Sequence, residues 1–398
     1  MSKPNSLRKL LETNKPILVP GIYDALSAKI AQQVGFEAVF HTGYGTAATL
    51  LGVPDIGLVS FSEMKERVSN ICNSIDIPVV ADADTGYGNS LNTMRTVKDY
   101  IRSGASGLIL EDQVWPKKCG HMKGKAVIPL DEMESKIKAA SQSRKEEKSD
   151  LVIVGRTDSL AIEGVDQAID RVKRYHKAGA DVLFIEAPDK IDELELIAKQ
   201  VKLPLLLNQL EGGRTPLITM KQAKKIGFKI ILFPLTSLYS STKAMFDSLS
   251  YLKKHQTSVG IEDQLVTFDK FNKIVNYDDF IKLEKKFAER ELRLEDLKSV
   301  IEDLSELNYL HSEDRELRRE ENRLTHFEKL TTILGQARNQ LHEMDGSVLE
   351  QIEISRKLLS EAEKIDPECT EIHSGIETAF FQLEDSYRKL VNYCERVE

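Results

Sequence analysis

The chain has 398 residues and a formal net charge of −8, which allows about two or three domains and indicates a moderately acidic protein. The acidic balance argues against nucleic-acid binding, and no apolar run approaches the roughly 18 residues that a membrane span requires. Four widely spaced cysteines without a Cys-x-x-Cys pair argue against a zinc site or a disulfide framework. With no apolar signal segment at the start, we expect a cytoplasmic protein.

Short apolar runs alternate with amphipathic helical stretches over the first two-thirds of the chain. The runs occupy residues 17–20, 38–40, 78–81, 107–110, 151–154, 182–185, 205–207 and 230–233. Continuous apolar strands separated by helices are typical of a parallel sheet that is covered on both faces. The pattern predicts an α/β fold, a (β/α)8 TIM-type barrel over residues 1–255, rather than an open doubly wound sheet.

Polar residues follow most of these runs at the point where each strand should end. In chain order they are His41, Thr42, Gly43, Tyr44, Asp82, Asp84, Glu111, Arg156, Glu186 and Asn208. A single one of them could cap the following helix, but a succession is harder to explain in that way. Because barrel enzymes place catalysis at the carboxyl ends of their strands, we expect an active site there.

Three carboxylates from neighbouring strand ends form a candidate metal site. Asp82 and Asp84 lie at positions i and i+2, so both side chains should point to one face, where Glu111 joins them. Unpaired like charges would raise each other's pKa, and a hard divalent cation removes that conflict. We expect Mg²⁺, with Mn²⁺ as the alternative, and Asp55 as an outer ligand that holds a metal-bound water. The alternative for the Asp-x-Asp-Thr-Gly run is a simple turn.

The loop after the fourth run carries a thiol, an imidazole and ammonium groups. Cys119 is flanked by Lys118 and His121, which should make its thiol ionise more easily than a free cysteine. Gly120 lets the backbone approach a ligand closely, and with Gly124 it predicts a loop that closes over the substrate. The alternative is a solvated lysine-rich loop with an incidental cysteine.

Two further groups at the strand ends have alternative interpretations. The planar fork of Arg156 suits a substrate carboxylate, but it could instead pair with a metal-binding carboxylate. His41 could be a core histidine, whereas His121, beside Cys119, is favoured for the site.

Residues 82–88, 111–113, 117–121, 155–158 and 208–213 resemble the motifs of the isocitrate lyase/phosphoenolpyruvate mutase superfamily. The resemblance covers roughly residues 5–287. It implies a Mg²⁺-dependent barrel that acts on small α-keto or α-hydroxy acids through a metal-held enolate. It also implies a homotetramer in which a C-terminal helix is exchanged between neighbours, with residues 256–287 as the C-terminal helical segment.

The resemblance also implies roles for individual residues. Asp82 and Asp84 would hold the metal, Asp84 most directly, with Glu111 and Asp55 acting through water. The substrate would be bound by the residues at positions 42–44, 120, 156, 186 and 208, which are Thr42, Gly43, Tyr44, Gly120, Arg156, Glu186 and Asn208. Backbone N–H groups of positions 42–44 would hold a carboxylate. Cys119 would protonate the carbanion left by cleavage, with Lys118 and His121 shaping its pKa.

The Cys-Gly-His run favours a carbon–carbon lyase similar to 2-methylisocitrate lyase or 2,3-dimethylmalate lyase. Carboxyphosphonoenolpyruvate phosphonomutases carry the same run and are the alternative, as is oxaloacetate decarboxylation. Tyr44 stands where methylisocitrate lyases usually have glycine, which leaves the substrate open. A third hypothesis, of another class, is a barrel that only presents a helical interaction arm.

The last part of the chain, residues 288–398, has a different composition. Only one of the 12 prolines, Pro367, lies there, and apolar residues recur at helical spacing at positions 294, 297, 301, 304 and 307 and again from 372 to 390. We expect a helical, coiled-coil-like extension whose last helix begins at Asp366-Pro367. Residues 313–317, 322–324, 366–368 and 382–390 resemble the coiled-coil region of the recombination protein N family of DNA-repair ATPases.

No Gly-x-x-x-x-Gly-Lys-Ser/Thr loop occurs in the sequence, so we expect no ATPase activity from this extension. Its acidic residues argue against DNA binding by the extension alone. It could serve as an assembly arm for a protein partner or be the remnant of a gene fusion.

Overall fold

The computed structural model describes residues 4–122, 124–306 and 312–397. In these residues eight parallel strands close into a barrel, each pairing with the next along the chain and β8 pairing with β1. The strands are β1 (Ile17–Ile22), β2 (Val39–His41), β3 (Val79–Asp82), β4 (Gly107–Glu111), β5 (Val152–Thr157), β6 (Val182–Ile185), β7 (Leu205–Asn208) and β8 (Ile230–Phe233). The predicted TIM-type barrel is confirmed.

Helices follow the strands and cover the outside of the barrel. They are α1 (Pro4–Glu12), α2 (Ala25–Val34), α3 (Gly43–Thr46), α4 (Phe61–Ser74), α5 (Ser90–Arg102), α6 (Leu130–Glu146), α7 (Leu160–Glu163), α8 (Val165–Ala178), α9 (Ile191–Gln200), α10 (Met220–Ile226), α11 (Thr236–His255) and α12 (Phe268–Ile274). A π-helical turn, Ala47–Leu51, continues α3, and a 3₁₀ turn, Glu262–Gln264, precedes α12.

The strands are apolar on both faces because each face meets a separate core. Along β5, Val152 and Val154 lie in the core inside the barrel, whereas Ile153 lies in the core between the strands and the helices. This alternation follows from the two-residue period of a strand. Leu7 of α1 is fully buried and packs with the inner core beside Gly107, the first residue of β4. Each such side chain contributes about 1.5–3 kcal/mol by its burial.

The chain divides into two compact units between Glu284 and Lys285. This division falls within α13 (Tyr277–Glu306), and the second unit continues with α14 (Glu313–Thr325), α15 (Phe327–Arg338), α16 (Val348–Glu363) and α17 (Thr370–Val397). A π-helical turn, Asn339–Glu343, and a 3₁₀ turn, Pro367–Cys369, connect these helices. The C-terminal region is therefore all helical, as predicted.

Within the second unit, α16 packs against α17. The guanidinium of Arg356 lies 4.9 Å from the centroid of the Phe380 ring, and Leu349 and Cys394 are buried. Asp366 accepts a hydrogen bond from the N–H of Glu368 at 3.0 Å, so the last helical stretch begins at the predicted Asp-Pro pair.

The heptad-like side chains of α13 at positions 294, 297, 301 and 304 are exposed in the single chain. Leu307, the last residue of that predicted repeat, lies outside the described residues. The coiled coil therefore stays a prediction. No helix in the described part of the chain is long and apolar enough to cross a membrane.

Gly21→Ala should destabilise the barrel where β1 passes the end of β8. A Cβ at position 21 would lie 1.9 Å from the carbonyl oxygen of Pro234, so the backbone would have to move. We expect a loss of about 1–3 kcal/mol in the free energy of unfolding, measured by circular dichroism in denaturant. Gly375→Ala in α17 is the control, because nothing lies within 4 Å of its Cβ. It should be neutral or stabilising by up to about 1 kcal/mol, and an equal loss in both variants would contradict the argument.

Candidate active site

The carboxyl ends of the strands surround a pocket. Most of the predicted site residues line it, namely Thr42, Tyr44, Asp55, Asp82, Glu111, Lys118, Cys119, Gly120, His121, Arg156, Glu186 and Asn208. Gly43 and Asp84 contact residues of this lining. The structure thus brings the predicted acidic cluster and the predicted Cys-Gly-His run to one cavity.

The acidic side of the pocket is built on Asp82, the last residue of β3. Its Oδ2 accepts a hydrogen bond from the N–H of Gly43 at 3.1 Å, and its Oδ1 accepts one from the N–H of Asp84 at 3.2 Å. Asp84 adopts a positive φ of 45° and accepts a hydrogen bond from the Tyr87 hydroxyl at 3.0 Å. Burial and the charge of Asp84 raise the pKa of Asp82 to about 6.

Two of the three amides that were predicted to bind a substrate carboxylate are already hydrogen-bonded within the protein. The N–H of Thr42 donates to the carbonyl of Ile22 at 3.0 Å, because β2 continues its pairing with β1. The N–H of Gly43 donates to Asp82. This part of the prediction is therefore corrected for Thr42 and Gly43, and we keep it for Tyr44.

Lys117 is a site residue that the sequence did not single out. Its Nζ lies 2.6 Å from Asp55 Oδ1 and 2.7 Å from Asp84 Oδ1, and its side chain is 5% exposed. The neighbouring Lys118, which was predicted instead, donates from Nζ to the carbonyl of Gly124 at 3.0 Å on the exposed side of the loop. Two adjacent lysines in an irregular loop carry no periodic signal that would say which one faces inward.

The acidic residues fit a hard divalent cation that keeps part of its water shell. Among the described residues no three acidic, histidine or cysteine side chains converge closely enough to hold a metal directly. Mg²⁺, however, usually binds through one or two carboxylates and retains several waters. Glu111 Oε1 is buried without a hydrogen-bond partner among the described groups. That oxygen and the raised pKa of Asp82 fit a site that binds a divalent cation.

Arg156 pairs with carboxylates of the protein itself, which is the second of the two roles expected for it. Its Nε and Nη2 bind the Asp158 carboxylate at 2.8 and 3.1 Å, and Nη2 lies 3.0 Å from Glu186 Oε2. Its Nε is also 3.3 Å from Glu111 Oε2. Burial alone raises the pKa of Glu186, but Arg156 and the hydrogen bond from His121 outweigh it and hold that pKa well below its usual range.

The predicted lowering of the Cys119 pKa is wrong. Burial, together with the carboxylates of Asp55 and Glu186, raises the pKa of the thiol to about 11 and outweighs the nearby cations. The thiol therefore stays protonated at neutral pH. Its backbone is held in place, since the N–H of Cys119 donates to the carbonyl of Asp55 at 3.2 Å.

His121 connects the loop to the far wall of the pocket. Its Nδ1 accepts a hydrogen bond from the N–H of Arg214 at 3.0 Å, and its Nε2 lies 3.2 Å from Glu186 Oε1. These partners place the ring proton on Nε2. His41, by contrast, is fully buried, its Nε2 lies 2.8 Å from Thr46 Oγ1, and burial lowers its pKa to about 3. His41 is therefore a core histidine.

Comparison of the sequence with known proteins identifies the family to which the chain belongs. The sequence pattern of the phosphoenolpyruvate phosphomutase family matches residues 7–252. The chain belongs to this family. It is 42% identical over 288 residues to 2,3-dimethylmalate lyase of Eubacterium barkeri, covering 72% of this chain and 99% of the relative. It is 47% identical over 284 residues to the chloroplastic carboxyvinyl-carboxyphosphonate phosphorylmutase of Arabidopsis thaliana. This match covers 70% of this chain and 83% of the relative.

Among solved structures, an oxaloacetate acetylhydrolase in complex with the inhibitor 3,3-difluorooxalacetate is similar to this family member. It superposes with a TM-score of 0.69 at 36% identity and covers 72% of this chain and 97% of its own. The chain is therefore an enzyme of the isocitrate lyase/phosphoenolpyruvate mutase superfamily, whose members are typically dependent on a divalent metal. The family pattern ends before the second, helical unit.

Arg156→Met should destabilise the fold as well as the site, because it removes the buried cation that pairs with the carboxylates of Asp158, Glu186 and Glu111. Removing one partner of a buried ion pair typically costs about 3–5 kcal/mol. We expect a loss of this size in the free energy of unfolding in denaturant. Arg214→Ala is the control, since its 3.6 Å pair with Asp189 is on the surface and should contribute less than about 1 kcal/mol. Equal effects would show that the Arg156 cluster is not a buried ion network.

Proposed function

We propose that this protein is a Mg²⁺-dependent carbon–carbon lyase, with Mn²⁺ as the alternative ion. Its substrate would be a small 2-hydroxy di- or tricarboxylate of the 2-methylisocitrate or dimethylmalate type. The products would be pyruvate or a related keto acid and a second carboxylate. The observation that carries the proposal is the position of Cys119, whose thiol lines the same pocket as the acidic cluster. Burial raises the pKa of this thiol.

The acidic side would hold the cation and the keto-acid half of the substrate. Asp82 and Asp84 would bind the ion, with Glu111 and Asp55 acting through water. A bound divalent ion supplies positive charge beside the oxygens on which negative charge develops during cleavage. Tyr44, which lines the pocket after β2, would contact the substrate carboxylate.

Cys119 and its neighbours would complete the proton transfers. A base takes the proton of the substrate hydroxyl, the carbon–carbon bond breaks, and its electron pair stays on the departing carboxylate fragment as a carbanion. The Cys119 thiol then gives its proton to that carbon, and the resulting thiolate is reprotonated before the next cycle. The high pKa of the thiol suits this role, because a proton donor has to be protonated before the step. His121, Glu186 and Asn208 form the wall behind it.

Cys119→Ser should abolish most of the activity, because a serine hydroxyl is a much weaker acid of similar size. We expect a loss of about 10²–10⁴-fold in kcat on the preferred substrate. The assay would be pyruvate release with Mg²⁺ from 2-methylisocitrate, 2,3-dimethylmalate and oxaloacetate. Cys369→Ser, in the helical unit, is the matched control and should keep full activity. Wild-type turnover in the Cys119→Ser protein would rule out the thiol as the acid.

The second candidate is a carboxyphosphonoenolpyruvate phosphonomutase, favoured by the 47% identity to the Arabidopsis phosphorylmutase. If the folded wild-type protein released no pyruvate from any of the three acids, the lyase proposal would be contradicted. Rearrangement of a phosphonate substrate would then support the phosphonomutase proposal. A barrel inactive on both groups of substrates, with a partner captured through residues 289–398, would support the interaction-arm hypothesis.

Glu111→Gln should weaken metal binding without any substrate present. The change removes a charge from the outer ligands of the ion, where substitutions typically cost about 10–100-fold in affinity. Calorimetric titration of the substrate-free protein with Mn²⁺ measures the effect. Glu163→Gln, whose carboxylate pairs with Arg171 away from the pocket, is the control. If the Glu111→Gln variant bound Mn²⁺ with unchanged affinity, Glu111 would not be a ligand of the ion, either directly or through water.

A further inference from the structure

Lys125 connects the loop that carries Cys119 to the barrel. The loop leaves β4 and returns to α6, and Lys125 lies on its returning half. Its Nζ lies 2.7 Å from Asp158 Oδ1 and also donates to the carbonyl of Gly120, and its side chain is only 3% exposed. One buried ammonium therefore joins a barrel carboxylate to the peptide next to Cys119.

The barrel end of this connection is rigid. Asp158 directly follows β5, is fully buried, and accepts two hydrogen bonds from Arg156. Its own N–H donates to Asp112 Oδ1 at 2.9 Å. Asp112 in turn accepts hydrogen bonds from the hydroxyls of Thr157 at 2.6 Å and Tyr175 at 2.7 Å. The carboxylate that Lys125 binds is thus held by contacts that do not involve the Cys119–His121 segment.

The loop end of the connection lies directly against the pocket wall. A Cβ on Gly120 would be 2.4 Å from Arg156 Nη2 and 2.5 Å from Glu186 Cγ, so only a glycine backbone fits at this depth. The carbonyl of Gly120 is the group that Lys125 binds. Since Cys119 is the preceding residue, this contact restrains the backbone on the C-terminal side of Cys119, whereas the N–H of Cys119 is held by the carbonyl of Asp55.

A purely structural role would not explain both contacts of Lys125. Asp158 already has the bidentate fork of Arg156, so it does not require a second cation. Burying an ammonium is costly, and a buried ion pair is weak evidence for stabilisation. The contact with Gly120 has no role in balancing the charge of Asp158. In contrast, the Lys118 ammonium binds Gly124, a carbonyl of the same loop, and does not reach the barrel through that bond.

We propose that Lys125 is a positioning residue that holds the Cys119–His121 segment against the end of β5 and so places the thiol in the pocket. The consequence for turnover rests on the proposed role of Cys119 as the acid. The consequence for the loop does not, because it concerns only the contacts among Lys125, Asp158 and Gly120.

The test is the rate at which N-ethylmaleimide alkylates Cys119 in the substrate-free, full-length protein, followed by peptide mass spectrometry. Lys125→Met removes both contacts of the ammonium while keeping much of its apolar stem. We expect Cys119 to be alkylated about 10–100-fold faster, the equivalent of losing one charge-assisted hydrogen bond. In turnover assays kcat should fall by about 10²-fold, since small misplacements of a reacting group have effects of this size. The KM should change little.

Two further variants keep the test decisive. Lys98→Met is the matched control, since it removes an ammonium that binds Glu146 at 2.8 Å on the outside of the barrel, and it should leave both measurements unchanged. Lys125→Gln keeps a hydrogen-bond donor group and should raise the alkylation rate less than Lys125→Met. If the methionine variant does not fold, the alkylation rate of Lys125→Gln is compared with that of the wild-type protein instead.

The alkylation rate separates this proposal from the proposed function, because it requires no turnover. A folded Lys125 variant with the wild-type alkylation rate would overturn the positioning role, even if its melting temperature fell. Faster alkylation with unchanged kcat would uphold the loop contact and overturn the role of Cys119 as the acid. Inactivity of the wild-type protein on every substrate would leave the expected change in alkylation standing.

Discussion

The burial of several like charges at one end of the barrel is the constraint on which the rest of the site depends. Parallel strands end side by side, so the carboxylates that follow them must share one pocket. The protein balances these charges with its own cations. Arg156 comes from β5, whereas Lys117 and Lys125 come from the loop after β4. The loop therefore lies where it does partly because its lysines are needed by the barrel.

This charge balance also explains the state of the thiol. Cys119 lies between two groups of carboxylates, so burial and negative charge together oppose its ionisation. The charge of Arg156 and a hydrogen bond from the His121 backbone lower this pKa, but burial and the carboxylates outweigh them. A thiol in this environment is unsuited to be a nucleophile at neutral pH and well suited to donate a proton.

The barrel and the helical unit differ in how they bury their apolar side chains. The barrel buries its apolar residues in an inner and an outer core, and its polar strand ends converge on the pocket. The helical unit is held by a smaller set of contacts, such as those between α16 and α17, and it leaves many apolar side chains of α13 exposed. The family match covers the first unit alone, so the activity argued here belongs to the barrel.

The sequence by itself determined the barrel, the strand ends and most of the residues that line the pocket. The reason is local: a buried strand has an apolar run of fixed length, and the residue after it necessarily lies at the end of the barrel. The sequence also predicted the Pro367 helix start, because proline favours the first turn of a helix.

Only the tertiary structure decided which lysine of the pair 117–118 points inward, and which carboxylates Arg156 binds. It also decided whether the pKa of Cys119 rises or falls. These outcomes depend on groups that are distant in the chain, such as Asp55 for Lys117 and Asp158 for Lys125. They also depend on burial, since nearby cations alone suggested the opposite direction for the thiol. An irregular loop has no period, so the partners of its side chains follow from where the barrel places the opposing charges.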